Sequence, residues 1–219
     1  IPGKEMGKKE GAAVFFGEFY SDWIATLQTT LLPNLRRAVE AAAVAPTPLS
    51  VQIDALHRHL DLYYSALDRA AASDVSQCLF PAWRNSLERP FLWLGDLHPY
   101  LFSNLLRSFL DDGSEEEEEE EEEASSSRRA KIDRIECGLR LMVPALAARA
   151  RDAQANFPTA SAAAAEEELA GVLADANRLR RSVLADILAA ATPRQSAAFL
   201  QSLAEFLVGF RDEKLLRKL

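Results

Sequence analysis

Cysteine is scarce: Cys78 and Cys137 are the only two in 219 residues. That is too few for a disulfide scaffold and ordinary for an intracellular chain. Histidine is almost as rare, with His57, His59 and His98, which leaves little material for histidine-based acid–base chemistry. His57 and His59 are two residues apart, about 200° of helix rotation, so they face opposite sides and do not share a metal. A Gly-rich phosphate loop, a GxSxG elbow and an HExxH pair are all missing. These gaps predict no enzyme, no cofactor and no metal. No apolar run approaches the roughly 20 residues that span a bilayer. No alternating run bounded by turn residues occurs, so essentially no sheet is expected. Excess positive charge is missing too: the formal net charge is −8. Nine of the 33 acidic residues form one run, Glu115–Glu123, and outside it 25 basic residues face 24 acidic ones. A nearly neutral body argues against nucleic-acid binding by bulk charge.

What is present is 48% hydrophobic, rich in alanine and leucine, and periodic at three and four residues, which predicts an all-α multi-helix bundle. The first helix is expected over 13–43, from Phe16, Phe19, Trp23, Leu27, Leu31, Leu35 and Val39, with Pro33 kinking or dividing it. Leu49, Ile53, Leu56, Leu60, Tyr63 and Leu67 line a second. Ser73 and Asp74 supply cap chemistry for the next element. Residues 78–110 hold the densest large apolar groups, broken into short helices by Pro90 and the Gly95–Pro99 stretch. Residues 111–130 read as a mobile acidic loop inserted between two halves, because like charges repel and serines add nothing to a core. Ile132, Ile135, Leu139, Met142 and Leu146 resume a helix that Pro144 should interrupt. Phe157-Pro158 marks a turn, and 160–191 is helical again. Thr192, Pro193 and Gln195 form a helix start with a capping box. Residues 1–12 read as an N-terminal tail, with Ile1–Glu5 as sequence added ahead of Met6. Residues 13–219 read as one helical domain.

The segment Ala82–Leu97, AWRNSLERPFLWLGDL, carries a pattern of tryptophan, a glutamate–arginine pair, then phenylalanine-leucine-tryptophan-leucine-glycine. With Trp83, Glu88, Arg89, Phe91, Leu92, Trp93, Leu94 and Gly95 in place, it resembles the signature of the plant delay-of-germination domain. That domain also forms the C-terminal part of the TGA-type leucine-zipper factors. Asp96 departs from the pattern, where a second glycine is common. The segment 192–206, with Pro193 and Gln195, and the opening helix around Trp23 are similar to the flanks of that domain. The resemblance covers roughly residues 14–216. Within the family the chain is most similar to the branch that serves pollen apertures. The FYSDW segment, the short chain and the low-complexity insertion carry that likeness.

The resemblance implies a non-enzymatic adaptor that marks plasma-membrane domains through contacts with other proteins. It would be cytoplasmic and peripheral to the membrane, with self-association or a nuclear location as further options. The alternative within the family is a calmodulin- or lipid-responsive module acting in seed or transcriptional regulation. For that reading, the apolar face of the first helix and the nearby Arg36 and Arg37 would form a calmodulin target. Direct nucleic-acid binding is not implied, because the basic region and leucine heptad of the TGA factors are not in this sequence. Some relatives bind haem through C-terminal histidines, and this chain has none after His98, so haem is not carried over. Glu88 and Arg89 are expected as a buried pair needing partners, and Trp83 and Trp93 as core. The run beginning Glu115, Glu116, Glu117 is either a solvated spacer or an element that attracts basic partners or repels anionic lipid.

Overall fold

The computed structural model describes residues 6–42, 47–109, 119–156 and 161–211. Helix α1 (Met6–Thr26) runs through one π turn (Leu27–Leu31) into α2 (Leu32–Ala41). The π turn follows from the apolar spacing. Trp23, Leu27, Leu31, Leu35 and Val39 step by four, and each such step overshoots a full turn by about 40°. One wide turn absorbs the accumulated drift and keeps Leu32, Leu35 and Ala38 on the buried side with Phe16, Tyr20 and Trp23. Pro33 then lies in the first turn of α2, where a missing N–H costs least. Pro33 was expected to kink or divide the rod; the backbone stays helical through Leu31 and Leu32, and the irregularity is the π turn just ahead of it. The rod begins earlier than expected, however, so residues 6–12 are helix rather than tail.

Helix α3 (Thr47–Ser73) is the hub, packed against α1, α2, α4, α7 and α8. Asp74 caps α4 (Val75–Leu79) by accepting from the Ser76 amide at 3.1 Å. An irregular stretch and a 3₁₀ turn (Arg89–Phe91) lead into a two-residue hairpin, β1 (Leu92–Trp93) with β2 (Asp96–Leu97). This hairpin is the sheet content of the described residues. Helix α5 (Tyr100–Arg107) follows, then α6 (Glu119–Ala155), α7 (Ala162–Ala190) and α8 (Pro193–Gly209). The chain is an all-α bundle. Its core is one apolar cluster to which every one of these helices contributes, from Phe16 on α1 to Leu207 on α8.

Two expectations about α6 are corrected. The acidic segment was expected as loop through residue 130, yet the helix begins at Glu119. Glutamate and alanine are good helix formers, extending an existing helix adds one bond per residue, and acids favour a helix N-terminus. Residues 111–118, with Glu115, Glu116 and Glu117, lie outside the described residues, as does the Phe157-Pro158 turn. Pro144, expected to interrupt, is inside the helix. It faces solvent, while Ile132, Leu139, Val143, Leu146 and Ala150 bury the opposite face on both sides of it. Packing there outweighs the local loss of one backbone bond.

Candidate functional site

The signature segment folds around its own polar groups. Asn85 Oδ1 accepts the Leu87 and Glu88 amides at 3.0 and 3.1 Å, and Glu88 Oε2 accepts the Asn85 amide at 2.8 Å. This is a reciprocal cap built on N-x-x-E, and it closes the turn at 86–88 that leads into the 3₁₀ turn. Asn85 also donates from Nδ2 to the Phe210 carbonyl at 2.7 Å, fastening the end of α8 to the motif. The second oxygen of Glu88 faces inward, where it accepts from the Tyr20 hydroxyl at 2.9 Å and Arg84 Nη1 at 3.1 Å. Glu88 is fully buried.

Arg84 joins this cluster to the hairpin. Its Nη2 donates to the Tyr63 hydroxyl at 2.8 Å and to Asp96 Oδ1 at 2.5 Å. Its guanidinium lies 4.8 Å from the centre of the Tyr20 ring, and Arg211 lies 4.9 Å from the same ring. Arg211 also stands 3.6 Å from Glu88 Oε2. Burial opposes the charge on Arg84, but Tyr63, Asp96, Tyr20 and Glu88 outweigh it and hold the guanidinium firmly protonated. Burial raises Tyr63 well above the usual phenol range, against the pull of Arg84. Arg84 is thus held charged, and Tyr63 neutral, at neutral pH.

A second arginine, Arg180 on α7, is also fully buried. Its Nε donates to the Leu97 carbonyl at 2.8 Å and its Nη1 to Asn177 Oδ1 at 2.7 Å. Its Nη2 reaches the carbonyls of Trp93, Leu94 and Asp96. The guanidinium therefore fills the inside of the hairpin. Leu94 and Gly95 form the two-residue loop, with φ of +44° and +84°. Positive φ at both positions is the mark of a type I′ turn. Leucine pays steric strain there, and Arg180 ties down the carbonyls on either side. A Cβ on Gly95 would sit 2.9 Å from the Cys78 carbonyl and 3.0 Å from Leu173 Cδ1. Gly95 is thus required both by the turn and by its contact with α4 and α7.

The expected residues separate into three groups. Trp23 is buried, donates to the His59 carbonyl at 2.8 Å and stacks on the His59 ring at 4.9 Å. Glu88 and Gly95 are buried as well. Trp83 and Trp93 are half-buried rather than full core, against Phe16 and against Arg180 and His98 respectively. Leu92 and Leu94 are likewise half-buried. Arg89 is exposed, and the buried partner of Glu88 is Arg84 instead. Phe91 lies at the surface against Phe206 and Phe210. Pro193 and Gln195 start α8, with both halves of the capping box formed. Arg36 pairs with Glu205 at 2.9 Å, and Arg37 bonds Asn34. The apolar face of α1 and α2, read as a calmodulin target, is spent on the core.

The sequence reading missed Arg84, Arg180 and Tyr20, and placed Tyr63 in the core without its hydroxyl's role. Arg180 was findable: with Asn177 it occupies the inward positions between Leu173 and Leu184. A charge inside an apolar stripe is a signal of a buried polar centre. The departure at Asp96 was a second signal, because that carboxylate is what Arg84 needs.

The network leaves a void of only about 10 Å³ beside Arg84 and Asp96, the size of a single water. Among the described residues no group of three histidine, cysteine or acidic side chains could hold a metal ion. No described helix is long and apolar enough to cross a membrane. The profile of the seed dormancy control family matches residues 31–108, which contain the whole of the signature, Arg84 and Asp96. The chain is 41% identical to Protein INAPERTURATE POLLEN1 of Arabidopsis thaliana, over 92% of both chains. It belongs to the inaperturate pollen 1 family. A rice homolog of the same name is 38% identical, over 92% of this chain and 86% of the relative. Transcription factor TGA7 of Arabidopsis thaliana is more distant, at 27% over 86% of this chain and 52% of its own length. Within the inaperturate pollen 1 family, the matched span places the buried arginines where two otherwise separate segments meet: Arg84 lies inside the family profile and Arg180 outside it.

Proposed function

We propose that this chain is a non-enzymatic adaptor in pollen aperture formation, acting through protein contacts at domains of the plasma membrane. The observation that carries this reading is the inward use of the signature. Its charged groups bond to one another and to the hairpin, and no cavity beside them admits a substrate. Such a network specifies a shape rather than a reaction. The signature then serves to present the outer faces of the bundle. Likeness to relatives named for inaperturate pollen, spanning nearly the whole of each chain, supplies the biological setting.

The test is expression of this chain in an Arabidopsis line lacking its pollen relative, scored by aperture number, with proximity labelling in developing pollen. Restored apertures and enrichment of plasma-membrane proteins are expected. A folded, expressed chain that restores nothing and labels only nuclear proteins would overturn the reading.

A further inference from the structure

The outer face of α6 concentrates charge of one sign. Between 128 and 151 it carries seven arginines and lysines against two acids, Asp133 and Glu136. Both acids are held by Arg107 of α5, at 2.9 and 2.5 Å. Arg149 is spent on Glu168 and Asp175 of α7. Arg128, Arg129, Lys131, Arg134 and Arg151 form no ion pair with a described carboxylate, and Arg140 acts on Glu136 one turn back, which Arg107 already holds. The nearest other acids are Asp186 of α7, beside Lys131 and Arg134, and Asp152 at the far end. This cationic concentration stands on a chain whose formal charge is −8.

The apolar groups on the same face are not buried. Leu141 is 70% exposed and Met142 45%. On a helix of 100° per residue, Cys137, Leu141, Pro144 and Ala148 fall within about 60° of arc. Arg134 and Lys131 flank this strip on the α7 side, and Arg129, Arg140 and Arg151 on the α5 side. At 1.5 Å per residue the apolar strip runs about 17 Å, from Cys137 to Ala148, within a cationic stretch of about 35 Å from 128 to 151. Beside it, the α6–α7 seam has a cavity of about 430 Å³ lined by Ile135, Gly138, Leu139 and Met142. An exposed apolar strip bordered on both sides by long cationic chains is the layout of a helix lying in a bilayer interface. The apolar groups enter the headgroup boundary while the arginines reach outward to phosphates.

We propose that this face of α6 binds an anionic lipid surface, with Leu141 inserted and Arg134 and Arg140 on the headgroups. The inference deepens the adaptor reading, on which it rests, by naming the face through which the chain meets the membrane.

Cosedimentation of the full chain with phosphatidylcholine–phosphatidylserine vesicles tests this, against pure phosphatidylcholine vesicles and at two salt concentrations. Binding to the mixed vesicles alone, weakened by salt, is expected. Arg134→Glu with Arg140→Glu should reduce it about tenfold or more, because each surface cation contributes roughly fivefold. Leu141→Ser should reduce binding without changing its salt dependence. Thermal melts of all variants should match the parent, since the three positions are exposed. If the parent binds and the variants bind equally, another surface meets the lipid and the inference is overturned. If the parent binds no vesicle, or prefers duplex DNA in direct competition, it is also overturned. In either case the adaptor reading stands or falls separately on aperture rescue and labelling in pollen.

Discussion

Replacing Arg180 with methionine should unfold the hairpin's support and destabilise the whole chain. The substitution keeps an unbranched side chain of similar reach but removes every donor. Five hydrogen bonds disappear, four of them to carbonyls of the segment Trp93–Leu97 and one to Asn177. Leaving a buried polar group unpaired costs about 1–3 kcal/mol, but water can reach the outer part of a half-buried hairpin. Counting the Leu97 and Asp96 carbonyls and Asn177 as left dry gives about 3–9 kcal/mol. For a chain of this size even the lower figure lowers the melting temperature by about 6–12 °C. Calorimetry of Arg180→Met beside Arg178→Met supplies the measurement. Arg178 is exposed and tied only to Asp175 on its own helix, so its loss should shift melting by little. Arg180→Lys should fall between, because one ammonium cannot fork to carbonyls on both sides of the turn. If Arg180→Met melts within a degree or two of the parent, the guanidinium does not hold the turn and the account of the signature is wrong.

Four further outcomes follow from the same structure. Gly95→Ala combines a positive φ with two contacts at 2.9 and 3.0 Å and should cost about 2–4 kcal/mol, read by urea denaturation. Thr192→Ala removes the hydroxyl half of the α8 capping box and should cost about 1 kcal/mol in the same assay. His59 and His98 are both pushed below 6.5, His59 by burial and His98 by burial and by Arg180. A group held neutral in the fold protonates more readily when unfolded, so its contribution is complete above 6.5 and is lost as pH falls from there through the lower value in the fold. Melting temperature should therefore fall between pH 7 and 5, with a shallower slope in His59→Gln; a flat profile would contradict the burial of both rings. Burial pushes the Cys78 thiol up to about 12, while Cys137 is exposed. A maleimide should therefore modify one thiol in the native chain and two in denaturant, checked by mass spectrometry.

The helices were legible because each buries one stripe at steps of three and four. The α8 cap was legible to the residue, since Thr192, Pro193 and Gln195 have few other reasons to stand in that order. The signature showed where a polar centre lay but not how it was wired. Adjacent in sequence, Glu88 and Arg89 looked like a pair, yet a tight 3₁₀ turn sends neighbours in different directions, so one is buried and the other faces water. The true partner of Glu88 is Arg84, four residues back. Arg180 joins the same region from 83 to 87 residues away, a distance that periodicity cannot bridge. The start of α6 was misjudged for a related reason. A run of like charges argues against a core, but not against helix where a packed segment follows.

The π turn at Leu27–Leu31 makes chain length forgiving in one direction and not in the other. Gln28, Thr29 and Thr30 are exposed there, and exchanging any of them for another good helix former should be nearly silent. Deleting one removes the residue that the wide turn takes up. The turn would close into an ordinary one, and Leu32, Leu35 and Ala38 would keep the side they share with Phe16, Tyr20 and Trp23. Inserting a residue is the damaging operation, because it would rotate Leu32, Leu35 and Ala38 by about 100° away from α3 and α8. Shortening the rod at this turn should thus spare the fold, and lengthening it there should not.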